Sequence, residues 1–459
     1  MIQSRRGFLA TAGGLAALAL APRAAAAAPE VLRAAQATIR LAPEGYPATQ
    51  VWAFGGRVPG PEIRARRGGR VVRRLENALD APTAVHWHGI RIANAMDGVP
   101  YLTQAPVAPG GEFLYDFAVP DAGTYWYHSH ARSHEQVARG LHGALVVEET
   151  EPPDVDADEV LVLDDWRLTG EAALDDGFGS MHDAAHGGRI GNWVTLNGQG
   201  EWRRPARRHE RLRLRLVNAA TARVFRLETR GLAGRVVALD GMPLEIPAPL
   251  ERLTLAPAQR ADLIVDVTAG EGDEALLVSI EREGGYALAS LPVRGAAAAS
   301  ARPAPGPLPP NPVAALGDIG GARRLRLVME GGAMGGMASA RFGAETLDAR
   351  ALAGRGMVWA FNGRAGMPET PFAELARGET VALEMVNDTA WPHAMHLHGH
   401  HFRAVWADGT PGPLRDTLLV GPRGTATIAF VADNPGDWLV HCHMLAHAAS
   451  GMMTWIRVG

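Results

Sequence analysis

A frame recurs three times along this chain of 459 residues, and it limits the fold more than any other feature. In the first copy a strand led by Gly68 ends at Asn77, and His86 follows nine residues later. In the third, Gly378 leads a strand ending at Asn387, and His396 follows at the same interval. The second copy runs from His209 through Arg-Leu-Arg-Leu-Arg-Leu at 211 to 216 to Asn218, but nine residues on stands Leu227, with Thr229 two further. The other half of the frame agrees. Pro109, Pro257 and Pro422 precede Phe117, Val265 and Phe430 by eight residues, and eleven residues beyond those come His128, Leu276 and His441. The stretches between alternate apolar and polar residues, the period of a half-buried strand. Copies of roughly 120 to 150 residues, made of short strands and Gly/Pro turns without a long amphipathic helix, predict an all-β chain of three Greek-key β-sandwich domains.

The histidines at the ends of the frame come in pairs. His86-Trp-His88, His128-Ser-His130, His396-Leu-His398 and His441-Cys-His443 place eight of the 17 histidines two residues apart. One such doublet carries little meaning, because two histidines on a strand face are more often surface or satisfied core residues. Four doublets in one repeat frame do not arise by chance. Side chains on a strand alternate faces, so both imidazoles of a doublet point the same way. Eight neutral imidazoles facing one place suit several copper ions, which favour nitrogen ligands. The last doublet has a further property, since the residue between its histidines is Cys442, the only cysteine. Alternation sends that thiol to the opposite face. There His447, five residues on, and Met452, ten residues on, supply most of a Cys/His/His copper set with a weak axial Met. One more histidine from elsewhere completes it. A single cysteine also excludes an intramolecular disulfide and leaves no second thiol to oxidise with it.

The motifs His86-Trp-His-Gly89, His128-Ser-His130, His393-Ala-Met-His396-Leu-His398-Gly399 and His441-Cys-His443 with His447 and Met452 resemble the copper signatures of the multicopper oxidases, the laccase-like family. They stand in that family's order and span residues 86 to 452. The resemblance implies that the three domains are cupredoxin-like and that the chain holds four coppers. It assigns a blue copper to His393, Cys442 and His447 with Met452 axial, and a type 2 copper to His86 and His396. A type 3 pair falls to His88, His128 and His443 on one side and His130, His398 and His441 on the other. The implied reaction is four one-electron oxidations of a reductant, coupled through the Cys442 backbone to reduction of dioxygen to water. Asp97, in Met96-Asp97-Gly-Val-Pro100, matches the family's aspartate beside the cluster, where protons are consumed; its plainer reading is a turn residue before Gly98. Many relatives place glutamate close to the last ligand histidine, whereas Ala446 and Ala448 flank His447 here, which removes one usual proton route. Asp416, in Arg415-Asp-Thr-Leu, either orients a blue-copper histidine or makes a strand-end hydrogen bond.

Residues 29–150 and 319–459 are therefore expected to be the ligand-bearing domains, 151–298 a middle domain without copper ligands, and the Pro/Ala-rich residues 299–318 a linker. Residues 1–28 read as a twin-arginine signal peptide: Ser4-Arg5-Arg6-Gly7-Phe8-Leu9, an apolar run too short and too rich in Gly and Ala to span a membrane, then Ala24 to Ala28. A periplasmic or otherwise exported protein without a stable membrane anchor follows, and a monomer is expected. A net charge of −4, with arginine as the only strongly basic residue, argues against a nucleic-acid partner.

Two reductants fit the implied site: a small aromatic, phenol or aromatic amine, or Cu(I). Cuprous oxidases carry a dense Met-rich insert that delivers Cu(I) through thioether sulfur. Here the corresponding region offers Met329, Met334, Met337 and Met357 spaced among glycines, which favours the aromatic reductant. A copper-free structural relative would not keep every ligand position filled, and a two-domain nitrite reductase would need neither four doublets nor a third domain. His134, His142, His400 and His401 match no ligand position, and His182 and His186 fall in a Gly/Asp-rich loop.

Overall fold

A computed structural model describes residues 29–459, so the signal-peptide reading of residues 1–28 lies outside the described residues. The regular structure is almost wholly strand, with α-helices of four to six residues among the described residues. None is long and apolar enough to cross a membrane. The strands form three two-sheet sandwiches in series, as the repeat predicts. In the first, a sheet ordered Thr49–Phe54, Glu30–Ile39, Arg70–Asn77, Glu112–Ala118 faces one ordered Gly60–Arg66, His142–Glu148, Gly123–Ser129, Val85–His88. The second is built around Arg211–Asn218 and Glu274–Glu281, the third around Glu379–Asn387 and Gly436–Cys442.

The repeated asparagine has a physical cause. Each ends a strand that runs parallel to an earlier one, in one register: Asn77 opposite Ala34, Asn218 opposite Leu163, Asn387 opposite Met329. Beyond that point the chain must leave the sheet, and its freed backbone groups need partners. The buried carboxamide supplies them. Asn77 Nδ2 donates to the carbonyls of Ala81 and Val107 (2.9 Å each) while its Oδ1 accepts from the Leu79 amide (3.0 Å). Asn218 bridges Arg223, Leu255 and Ala220 in the same way, and Asn387 bridges Trp391, Gly421 and Thr389. The clamp delivers the next strand, Val85–His88, Phe225–Arg230 or His393–Leu397, so that the residue nine positions after the asparagine, His86, Leu227 or His396, falls within it.

The frame holds less well in its second half. His86 faces His128 across the ladder and His396 faces His441, but Leu227 faces Ser279, and Leu276 pairs with Arg230 instead. The equivalence of Leu276 with His128 and His441 is therefore corrected to Ser279. Residues 268–273, which connect the two strands of the middle copy, form a longer turn than residues 119–122 or 433–435 and shift the count by three.

Strand Arg211–Asn218 departs from the half-buried pattern, being buried along its whole length. Leu212, Leu214 and Leu216 enter the middle core. The alternate arginines pack between elements, Arg213 on Asp262 and Glu149, Arg215 on Asp158 and the Thr124 hydroxyl, Arg211 on Asp266. Buried guanidinium groups need carboxylates, and each has one. The apolar cores divide in much the same way: one cluster runs through both the first and third sandwiches, from Leu32 to Val458, and takes in Met242 of the middle sandwich, which otherwise has its own. Residues 301–318 form no helix or strand, yet they are pinned to the surface they cross, with Leu308 buried and Asn311 bonded to both the amide and carbonyl of Ala122.

Candidate metal centres

The eight doublet histidines line the seam between the first and third sandwiches. His86, His88 and His128 sit on buried strands of the first, with His130 one residue beyond; His396 and His441 sit on strands of the third, with His398 and His443 one residue past their ends. The seam brings them together across the chain. His88 stacks on His396 with ring centroids 3.8 Å apart, and His86 lies over His398 at 4.0 Å. Their ring nitrogens fall into three sets: His86, His88 and His396; His88, His128 and His443; His130, His398 and His441.

The hydrogen bonds decide which nitrogen of each ring carries the proton. A carbonyl can only accept, so a ring nitrogen facing one must be N–H, and the other nitrogen of a neutral ring is then bare. His86 Nδ1–H donates to the Asp97 carbonyl (2.8 Å) and His396 Nδ1–H to that of Asp416 (2.8 Å), while their Nε2 atoms have no partner. His128 and His441 donate from Nδ1 to the carbonyls of Ser129 and Cys442 (3.0 and 2.9 Å), and His398 Nδ1–H donates to the Asp97 carboxylate (2.9 Å). His88 is reversed: Nε2–H faces the Asp416 carboxylate at 3.1 Å and Nδ1 is bare. His398 and His441 thus turn two bare Nε2 atoms toward each other at 3.2 Å. Two lone pairs at that distance repel unless a cation lies between them.

Neutral rings are what burial enforces. Burial pushes His88, His128, His130, His396, His398 and His443 well below the ordinary imidazole range, with neighbouring imidazoles adding to it in every case. It lowers His441 to about 4.

The second centre forms on the other face of strand Gly436–Cys442. Met395 pairs with Cys442, so His393, two residues earlier on the same face, reaches the thiol. His447 comes from the short helix Leu445–Ala449. The sulfur lies 3.6 Å from His393 Nδ1 and 3.8 Å from His447 Nδ1, and those nitrogens are 3.2 Å apart. The point equidistant from all three corners is about 2 Å from each, the length of a bond from a metal to imidazole or thiolate. Here too the outer nitrogens hold the protons: His447 Nε2–H donates to the His186 carbonyl (2.7 Å) and His393 Nε2 contacts the Thr389 hydroxyl (2.9 Å), leaving both Nδ1 atoms bare toward the sulfur. Burial lowers His447 to about 4 and pushes the Cys442 thiol up to about 12, so a thiolate here needs a cation beside it. Met452 is fully buried in the same core, its carbonyl accepting from the Cys442 amide.

Both centres therefore have the donor set, tautomers and burial that fit soft and borderline transition metals. Asp97 lies between His86 and His398 with no exposure, held by a turn in which a Cβ on Gly98 would run into the Val85 carbonyl. Asp416 does not touch a blue-set histidine. It contacts His88 and His396 on the other face, because Thr417–Val420 pairs with His393–Leu397 and places the residue before it beside His396. That position was visible in the sequence, but its side was not. His142 pairs with Asp164 and His400 bonds to the His398 carbonyl, and neither belongs to a set of converging ring nitrogens. The stretch read as a loop around His182 and His186 contains a short helix, Met181–Ala185, N-capped by Ser180. It covers the outer edge of His447, a contact that nothing in the local sequence signals.

Residues 36–152, 157–291 and 343–459 match family models described as multicopper oxidase. The chain is 32% identical to the multicopper oxidase MmcO of Mycobacterium tuberculosis (98% of this chain, 96% of the relative) and 28% identical to copper resistance protein A of Pseudomonas syringae pv. tomato (88% and 89%). Its fold is similar to the crystal structure of Lac15 from a marine microbial metagenome, with a TM-score of 0.77 and 42% identity over 94% of this chain and all of that one. The chain belongs to the multicopper oxidase family, and it is a copper-dependent oxidoreductase.

Proposed function

We propose that this enzyme oxidises small phenols or aromatic amines by one electron at a time and passes four electrons to dioxygen, forming water. The observation that carries this reading is Cys442, whose sulfur belongs to one set of donors while the residues on either side of it, His441 and His443, belong to the other. When bound, copper supplies the one-electron redox steps. His393, Cys442 and His447, with Met452 behind them, would hold a blue copper. His86 and His396 would hold a type 2 ion, and the sets His88, His128, His443 and His130, His398, His441 a type 3 pair, four coppers per chain. A short run of covalent bonds, through the Cβ atoms and the backbone, links the sulfur to the flanking imidazoles and would give electrons a through-bond route. Asp97, bonded to His398 and beside His86, would hold and pass a proton where dioxygen is reduced. Ala446 and Ala448 offer no second carboxylate at His447.

The aromatic reductant is favoured by the methionines. Met329 is fully buried in the main core, and Met337 and Met357 pack in a small apolar cluster with Leu352. Only Met334, 72% exposed, is open to solvent among those four. A second reading, a cuprous oxidase serving copper tolerance, draws support from the relative named copper resistance protein A and from Met334 and Met181, which lie on the two segments joined by the Ala333 amide and Ala185 carbonyl over His447. Oxygen uptake with a dimethoxyphenol and with Cu(I) separates them: faster turnover of the phenol is expected, and uptake with Cu(I) alone would reverse the choice. Purified holoprotein should be intensely blue; a colourless protein after copper reconstitution would end the reading.

Residues 29–150, 151–298 and 319–459 then serve as first ligand domain, middle domain and second ligand domain, joined by 299–318. Every ligand set is completed within one chain, which supports a monomer. The arginine pair Arg5-Arg6 and the alanines to Ala28 support twin-arginine export to the periplasm.

A further inference from the structure

The middle sandwich holds no ligand, yet one of its side chains reaches the seam. Arg260 is fully buried. Its guanidinium grips Asp416 of the third sandwich with two parallel bonds, Nη1 to Oδ1 at 2.9 Å and Nη2 to Oδ2 at 2.6 Å. It is itself aimed by the carbonyls of Ala258 (3.1 Å) and of Thr124 in the first sandwich (3.2 Å). Asp416 Oδ1 in turn meets His88 Nε2–H at 3.1 Å and the Thr417 hydroxyl at 2.8 Å. All three sandwiches therefore meet at one carboxylate. The sequence makes room for it: Gly89, which follows the His86-Trp-His88 doublet, has φ +85°, and a Cβ there would strike the Arg260 guanidinium and the Asp416 carboxylate.

A buried ion pair contributes little net stability compared with an apolar pair of the same shape, so stability alone does not account for this one. Its geometry does. A two-bond fork fixes the plane of a carboxylate, which a point charge such as lysine cannot do. With the plane fixed, Oδ1 is directed at His88 Nε2–H. His88 is reversed relative to His86, His128, His396, His398 and His441, presenting Nδ1 rather than Nε2 to the metal sets, and Asp416 is the contact that reverses it. We infer that Arg260 is a positioning residue for the three-metal site, supplied by the ligand-free domain, which sets the orientation of His88 through Asp416.

The inference rests on the copper reading above, and the wild-type spectrum separates the two: a wild type that takes up no copper fails that reading, whereas a blue wild type leaves Arg260 to be judged by its variants. Arg260→Lys and Arg260→Gln are compared with Arg213→Gln, a buried arginine of the same domain, paired to Asp262 and Glu149 rather than to a carboxylate that meets a histidine. Copper content, the blue absorption and the electron paramagnetic resonance signal of the non-blue copper are measured after loading with copper alone. Both Arg260 variants should keep the blue band, lose roughly 10- to 100-fold in copper affinity at the three-metal site and change the non-blue signal, the lysine no less clearly than the glutamine. Arg213→Gln should leave both signals as in wild type. A wild-type non-blue signal in Arg260→Lys, or the same change in Arg213→Gln, would overturn the inference; should Arg260→Gln not fold, the lysine variant decides.

Discussion

The middle sandwich and its two neighbours are copies of one frame put to different uses. All three keep the asparagine clamp and the parallel pairing it ends. In the outer two, the strand delivered by the clamp faces a histidine-bearing partner across the ladder; in the middle one, Leu227 faces Ser279 in a separate apolar core. The outer two also share a core, into which the middle one sends a single buried side chain, Met242. The difference teaches that the clamp positions a strand, while a metal site needs two such strands brought face to face. Where the outer copies present histidines the middle one presents charge, offering Arg213, Arg215 and Arg260 to its neighbours.

The most severe way to break the contrast is Cys442→Ser. The blue absorption and oxidation of the reductant should vanish, whereas copper bound at the eight-histidine seam should remain, as counted by metal analysis. Loss of all copper would mean that the two faces of that strand are not independent.

Acid should separate the copies next. Burial depresses His441 and His447 to about 4 from an unfolded value of 6.5, so the unfolded chain takes up protons first. Their stabilising effect is complete above pH 6.5, falls as pH drops from 6.5 toward 4, and loses nothing further below that, each contributing on the order of 3 kcal/mol. The metal-free protein should therefore lose the outer sandwiches first on acidification, with hydrogen exchange in Arg211–Asn218 the last to rise. Simultaneous loss throughout would show the three to be one cooperative unit.

The clamps offer a finer comparison. Replacing Asn77, Asn218 or Asn387 by alanine strands buried backbone groups and should cost about 2–3 kcal/mol at each position. Only the first and third replacements should also lower copper content, which chemical denaturation and metal analysis can read in parallel. The smallest effect is expected from Leu227→His with Thr229→His. With Ser279 opposite and no facing doublet, copper per chain should stay unchanged, and burying one imidazole should cost on the order of 1–2 kcal/mol.

Much of this was legible in the residues, and the reasons are local. Alternation on a strand depends only on neighbours, so Cys442 and its flanking histidines could be sent to opposite sides before any fold was known. The interval from asparagine to histidine is likewise set by one clamp. What escaped depends on chain that is remote in sequence. The slip at Leu276 comes from a longer turn after Val267, the side taken by Asp416 from strand pairing, and the cover over His447 from the packing of Met181–Ala185. The arginines at 211 to 215 form an interface that their own stretch does not announce, since only tertiary neighbours can supply their carboxylates.

Asp97 and His398, now bonded, are 301 positions apart, and His88 and Asp416 are separated by 328. A ribosome finishes one half of the seam long before it starts the other. No nascent intermediate can assemble the histidine cluster, so a chain cut short before Cys442 would lack residues of both centres however well its first sandwich had folded.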